Sequence, residues 1–201
     1  MIAVPTTAGT GSEVTIVAVM ADVAAHRKFT VGSTRMVART ALLDVELTFG
    51  LPPFITAYTG MDALTHAIEL YTSVAAQRVT DAINLDTISS IFSSLPTAVL
   101  RGDDRKARED ILYASCMASM TCNSTFLGLV HAIASPVCAL SNVPHGLACA
   151  VLLPAVMAYN LPVAEKSIQK LLWRSALPAI VKANAIRQKR RLPLSGVLLR
   201  T

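Results

Sequence analysis

Along this chain the apolar positions change rhythm once. Up to about residue 45 they fall in short runs, and after it they recur at helical intervals. Met1–Pro5 is a brief apolar run closed by proline, and Val14–Met20 is a β-branched run that predicts a strand. Between them Thr6–Glu13, TTAGTGSE, is a loop of small and hydroxylated residues. Ala21–Lys28 holds a turn, and Phe29–Val31 and Met36–Leu43 predict further extended pieces before Asp44. Beyond Pro52-Pro53 the texture is helical. Pro53–Thr56 predicts one short turn. Gly60–Ser73 predicts a helix capped by Thr59, with Leu64, Ala67, Ile68 and Tyr71 on its apolar stripe. Val79–Leu100 and Asp103–Ala118 predict two more helices. Leu127–Ala134 reads as a helix stopped or kinked by Pro136, and Gly146–Asn160 as one interrupted near Pro154. The fold class is mainly α. Residues 1–45 form a β and loop portion, 46–165 a helical body, and 166–201 a tail.

The 201 residues are 53% hydrophobic and 15% charged, which excludes disorder and a coiled coil. Charge separates the tail from the body. From Lys166 onward there are nine Lys/Arg and no acid, while all thirteen Asp/Glu precede it. The body is therefore mildly acidic and has no electrostatic footprint for nucleic acid. Ile111–Ala164 carries no formal charge, and Ile111–Val130 is long enough to span a bilayer. That window holds Ser115, Ser119, Thr121, Asn123, Ser124 and Thr125, so it predicts a helix wrapped by protein and no membrane partner. The alternative is a small membrane protein built on that window. Cys116, Cys122, Cys138 and Cys149 form no C-x-x-C pair, and the chain opens without a signal-like segment. They read as reduced thiols of a cytoplasmic protein.

Candidate chemistry rests on few residues. Of the four histidines, His26, His66, His131 and His145, the second follows Asp62 at i, i+4 in GMDALTHAIE. On a helix that spacing puts carboxylate and imidazole on one face, about 6 Å apart at Cβ. His131 lies in the uncharged stretch and His145 in PHG at a predicted helix start, neither with a local charged partner. A hydrogen bond to a backbone carbonyl would satisfy each singly. One divalent ion would satisfy Asp62, His66, His131 and His145 together. Three imidazoles and a carboxylate suit Fe(II), Zn(II), Co(II) or Ni(II) rather than Ca(II) or Mg(II), and no thiolate is spaced to join them. Any open position would let the ion polarise an alcohol or carbonyl oxygen. In TTAGTGSE, Gly9 and Gly11 permit close backbone approach, and Thr6, Thr7, Thr10 and Ser12 offer hydroxyls to a phosphate, ribose or amide. The loop is neither a P-loop nor G-x-G-x-x-G, and a plain surface loop has the same composition.

Three segments, PTTAGTGSEVT, LPPFITAYTGMDALTHAIELYTS and GLVHAIASPVCALSNVPHGLACAVLLPAVMAYN, together resemble the iron-containing (group III) alcohol dehydrogenases, in order from about Ala3 to Asn160. The resemblance implies an all-helical metal-binding lobe preceded by a short β remnant of an α/β dinucleotide-binding lobe. It implies alcohol–aldehyde or alcohol–ketone interconversion with NAD(P) and Fe(II) or Zn(II), on a small alcohol or aldehyde. Position by position, the family's metal ligands fall on Asp62, His66, His131 and His145. Its nucleotide contacts fall on Thr6, Thr7, the loop through Gly9, Thr10 and Ser12, and on Lys28.

The departures are informative. Family members are commonly nearly twice this length, and their GGGS-type pyrophosphate loop is missing here, which implies an incomplete copy. Ser135 stands where the family usually has a second-sphere histidine, so the catalytic proton-transfer residue is unassigned. The segment Thr121–Phe126 differs from the usual glycine-containing version. Beyond Asn160 the resemblance is expected to fade into the basic tail. An alternative reading is an inactive remnant that binds at most a divalent metal or a homologous chain. Unpaired strand edges would favour a homo-oligomer or pairing with a full-length homologue.

Overall fold

A computed structural model describes residues 1–174 apart from Val23 and His26, with side chains as far as Leu171. Most of the basic tail, and His26, lie outside the described residues.

The described chain holds four short strands followed by five helices. β1 (Ile2–Ala3) pairs in parallel with β4 (Thr40–Ala41). β2 (Val17–Asp22) and β3 (Arg27–Gly32) form an antiparallel hairpin, in register from Val17↔Gly32 to Asp22↔Arg27. The hairpin starts later than the apolar run predicts. Ser12–Val14 is a single 3-10 turn instead, and Asn123 at the end of a helix holds the next residues, accepting from Ile16 N and donating to Val14 O. The return strand begins earlier than predicted, at Arg27, so the turn is short.

α1 (Pro53–Thr72) is one helix where a turn and a separate helix were expected. Pro53 at its first position forfeits no hydrogen bond. Thr59 is no cap: its hydroxyl donates back to the Ile55 carbonyl inside the helix (2.9 Å). Every residue from Asp62 to Tyr71 is buried, so α1 is the central helix, in contact with α2 (Arg78–Leu100), α3 (Arg105–Cys122) and α5 (His145–Arg174). Leu64, Ile68, Leu70, Ile88, Ile91 and Ile111 fill the core around it, each contributing about 2 kcal/mol by burial. Asp104 caps α3 by accepting from Ala107 N (3.0 Å), and buried Arg108 ties that end to α1 by donating to Thr56 Oγ1 (2.9 Å).

α4 (Leu129–Ser141) and α5 continue through the prolines expected to end or interrupt them. Pro136 and Pro154 are exposed, while Val130, Ala134 and Cys138 on α4 and Leu153 and Val156 on α5 are buried across them. Each proline sits on the solvent side, where its freed carbonyl is open to water, and packing of the opposite face holds the helix together. The break in α5 comes at Ala164 (φ −109°, ψ 18°), after Pro162.

The uncharged window Ile111–Val130 is not one helix, because α3 ends at Cys122 and α4 begins at Leu129. Among the described residues, His145–Leu171 in α5 is the helix long and apolar enough to cross a membrane. Its buried positions Ala148, Cys149, Leu153 and Val156 belong to the core that includes α1.

Candidate metal centre

Helix α1 sets Asp62, His66 and Glu69 at i, i+4 and i+7, on one stripe. Glu69 reaches the start of α4. Its Oε1 accepts from Val130 N (2.6 Å), supplying the cap that Gly128, the N-cap residue, has no side chain to provide. Its Oε2 lies 2.6 Å from His131 Nδ1. The Nδ1–H donates to this carboxylate, which turns Nε2 toward Asp62, whose Oδ1 is 3.4 Å away. A carboxylate holding the far nitrogen of an imidazole is the usual support of a metal-binding histidine.

His145 opens α5, and its Nε2 lies 3.6 Å from the same Asp62 Oδ1. The approach depends on Gly146, since a Cβ there would sit 1.9 Å from the Tyr58 carbonyl oxygen of α1. On the other side of the ring, His145 Nδ1 is 3.7 Å from Cys138 Sγ. His66 lies alongside, its ring stacked on His131 at 4.5 Å between centroids.

The structure adds a thiol that the sequence reading left out. Cys149, one turn after His145, has its Sγ 3.7 Å from His145 Nε2 and 3.9 Å from His131 Nε2. Asp62, His131, His145 and Cys149 each present a ligand atom within 4.8 Å of the others; His66 is not in that set. The signal was present, because His145 and Cys149 repeat the i, i+4 spacing of Asp62 and His66. Glu69, also missed, extends that first stripe by one turn.

The electrostatics are those of a cation site. Burial would raise the Asp62 carboxyl, but His66, His131 and His145 hold it at about 2. Burial alone would lower His131; the Asp62, Cys149 and Glu69 side chains outweigh it and raise the imidazole to about 11. His66, buried on α1, falls to about 4 through burial, partly opposed by Asp62. Asp62 Oδ1 and His66 Nδ1 are buried with no hydrogen-bond partner, although two imidazole nitrogens stand near that oxygen. Without a metal the His131 imidazolium balances this carboxylate at 3.4 Å, and a bound divalent cation would take the place of that proton. A buried carboxylate, imidazoles converging on one of its oxygens and a carboxylate-supported His131 fit a transition-metal ion.

The small-residue loop docks on the helices. Gly11 is left-handed (φ 56°), and a Cβ on it would meet Ser119 Oγ at 2.2 Å; one on Gly9 would meet Thr59 Cβ at 2.8 Å. The glycines therefore serve close approach to α3 and α1. Ser119 Oγ donates to Thr10 O (2.8 Å). Thr6, Thr10 and Ser12 are exposed on the outer side and Thr7 is half-buried. Lys28, on β3, is near enough that its charge adds to burial and to His131 in lowering His145. Ser135 is half-buried on α4, one turn beyond His131.

A mainly helical body with a buried carboxylate–imidazole cluster at the meeting of three helices defines a lobe with a candidate metal site. Residues 56–192 match the Fe-containing alcohol dehydrogenase family, C-terminal, and residues 1–45 match the iron-containing alcohol dehydrogenase profile. The chain belongs to the iron-containing alcohol dehydrogenase family. The match continues to residue 192, so the likeness does not fade at Asn160 as expected. The chain is 47% identical over 171 residues to probable alcohol dehydrogenase EutG of Escherichia coli, covering 85% of this chain and 43% of that protein. It thus spans less than half the length of that relative. Its fold superposes on the alcohol dehydrogenase from Oenococcus oeni with TM-score 0.86 and 37% identity, covering 94% of this chain and 50% of the other. Sulfoacetaldehyde reductase from Bifidobacterium kashiwanohense, solved in complex with NAD+, matches with TM-score 0.76 and 30% identity over 94% of this chain and 58% of that one. The helical body is the one shared with the family's solved structures.

Proposed function

We propose that this chain is an alcohol–aldehyde or alcohol–ketone oxidoreductase that uses a divalent metal and NAD(P). The observation that carries the reading is the convergence of His131 Nε2 and His145 Nε2 on the orphaned Asp62 Oδ1, at 3.4 and 3.6 Å. The residues that would hold the metal are Asp62, His66, His131 and His145. When bound, the metal supplies Lewis acidity toward the substrate oxygen and the nicotinamide supplies the hydride chemistry. Glu69 fixes the His131 tautomer, and burial of the cluster excludes water from its inner side. Ser135 can pass a proton through its hydroxyl but cannot store one near neutrality as an imidazole does. Thr6, Thr7, Gly9, Thr10, Ser12 and Lys28 would line the nicotinamide side, with residues 1–45 closing a nucleotide lobe against the metal lobe of 46–165. The NAD+ complex of the sulfoacetaldehyde reductase supports that cofactor class. The substrate would be a small alcohol or aldehyde.

Titrating NADH into the purified chain while following its fluorescence tests the reading, together with metal content by mass spectrometry. Saturation at tens of micromolar, about −6 kcal/mol, with stoichiometric metal is the expected result. One observation favours a second reading. Val17, Val19, Met20, Phe29 and Val31 of the β2–β3 hairpin are exposed, a run of apolar side chains on one hairpin that a partner could cover. The chain would then bind metal and pair through this hairpin with a second copy or a full-length homologue, without turnover. Metal retained, NADH ignored and a dimer by light scattering would select it.

A further inference from the structure

One face of α3 carries Cys116 and Ser119 and ends at Asn123, at i, i+3 and i+7, and all three meet the glycine loop or its exit. Asn123, the C-cap residue of α3, bridges Val14 and Ile16: its Nδ2 donates to Val14 O at 2.7 Å and its Oδ1 accepts from Ile16 N at 3.0 Å. A carbonyl and the amide two residues on are the pair that one residue of a parallel strand would bond. A carboxamide presents a donor and an acceptor on separate atoms, as a peptide group does, so this side chain stands in for a neighbouring strand just before β2. Ser119, one turn earlier, donates to Thr10 O at 2.8 Å. The Cys116 thiol donates to the buried Glu13 carboxylate; burial and that carboxylate push its pKa up to about 12. Between these ties stand Gly11, left-handed at φ 56°, and Ser12. Thr10 and Ser12 remain exposed on the outer side.

We propose that Asn123 is a positioning residue for the cofactor: it anchors the exit of the loop Thr6–Glu13 on α3, with Ser119 anchoring the middle, so that the Thr10 and Ser12 hydroxyls are held outward toward NAD(P). The inference rests on the cofactor reading above. Asn123 acts through the loop backbone. A loop that has to be ordered when the nucleotide binds draws that entropy from the affinity, and a loop already anchored does not. The metal ligands Asp62, His66, His131 and His145 make none of these bonds, so the anchors can be removed with the metal in place.

The test is titration of the metal-loaded full chain with NADH and with NADPH, each followed by its fluorescence, alongside metal content and denaturant stability. Asn123→Ala is expected to raise the Kd of the tighter-binding nucleotide by about tenfold, with metal content unchanged. Ser119→Ala is expected to raise it about fivefold, and it takes the place of Asn123→Ala throughout if that variant does not fold. Asp104→Ala removes the N-cap of α3 and so lowers stability without touching the loop; it is expected to leave the Kd unchanged. A double-mutant cycle separates positioning from stability. Thr10→Ala is expected to cost little further in the Asn123→Ala background, because the hydroxyl it removes is no longer held in place; full additivity would overturn the positioning role. A Kd within about twofold of wild type in Asn123→Ala, or an equal loss of affinity in Asp104→Ala, would overturn it as well. A wild-type chain that loads metal and binds neither nucleotide would overturn the cofactor reading and the proposal with it.

Discussion

The helical cluster and the glycine loop both bring distant segments together, but they do so by different means. At the cluster, three helices converge and their side chains carry the contact: Asp62, His131, His145 and Cys149 present ligand atoms within 4.8 Å of each other. At the loop, the backbone itself carries it. Gly9 and Gly11 press against Thr59 and Ser119, and the hydroxyls of Thr6, Thr10 and Ser12 stay outside. Chemistry is concentrated in buried side chains at the first place and in an exposed surface shaped by a buried backbone at the second. The comparison implies that the two regions fail separately.

The largest effect is expected at the hinge of the cluster. Gly146→Ala forces a Cβ toward the Tyr58 carbonyl and pries α5 from α1. We expect a loss of about 3 kcal/mol by denaturant titration, together with loss of metal. Gly11→Ala, at φ 56° and against Ser119, is expected to destabilise by about 2 kcal/mol yet retain metal. Metal lost from Gly11→Ala would show that the two regions are coupled.

Asp62→Ala removes the oxygen common to both imidazoles and is expected to abolish stoichiometric metal with the fold intact by circular dichroism. Glu69→Gln leaves the donors in place but weakens the support of His131. Metal affinity should fall by about 10- to 100-fold, read by competition with a chromogenic chelator.

Without metal, the cluster should make stability peak near neutral pH. The folded His66 value of about 4 lies below its ordinary 6.5, so the unfolded chain takes up a proton first and stability falls as pH drops from 6.5 toward 4. The folded His131 value of about 11 lies above 6.5, so its contribution is full below 6.5 and is lost as pH rises toward 11. Asp62 adds a further loss as pH falls from 3.8 toward 2. Thermal midpoints measured in chelator across this range should show the maximum, and His66→Phe should flatten its acid side. The smallest effect belongs to the loop surface. Thr10→Ala and Ser12→Ala should leave metal and stability unchanged and weaken NADH binding by about fivefold each, the worth of one exposed hydrogen bond of about 1 kcal/mol.

Much of the fold was legible because helical periodicity is a local property. α2 and α3 lie within a few residues of their predicted spans. The errors arose where neighbours override local preference. Pro136 and Pro154 were expected to disrupt helices, but both face solvent and the buried stripes run past them. Thr59 has the chemistry of a cap, yet a helix already passes through it. At the cluster, Asp62 and His66 were legible from spacing within one helix. Cys149 was not, because a thiol one turn from a histidine belongs to no paired-cysteine pattern, and only the packing of α5 against α1 brings it to the cluster.

The order of donors along the chain, their helical spacing and the acidic body are properties of the sequence alone, since each depends on residues a few positions apart. Which helices meet, which donor atoms face one another and which histidine stands aside were decided only in three dimensions. The bare surface of Gly146 lets α5 reach α1, and Glu69 turns His131 by hydrogen bonding across 62 residues of chain. Contacts of that range depend on how close two backbones can come, and no local pattern of residues encodes that distance.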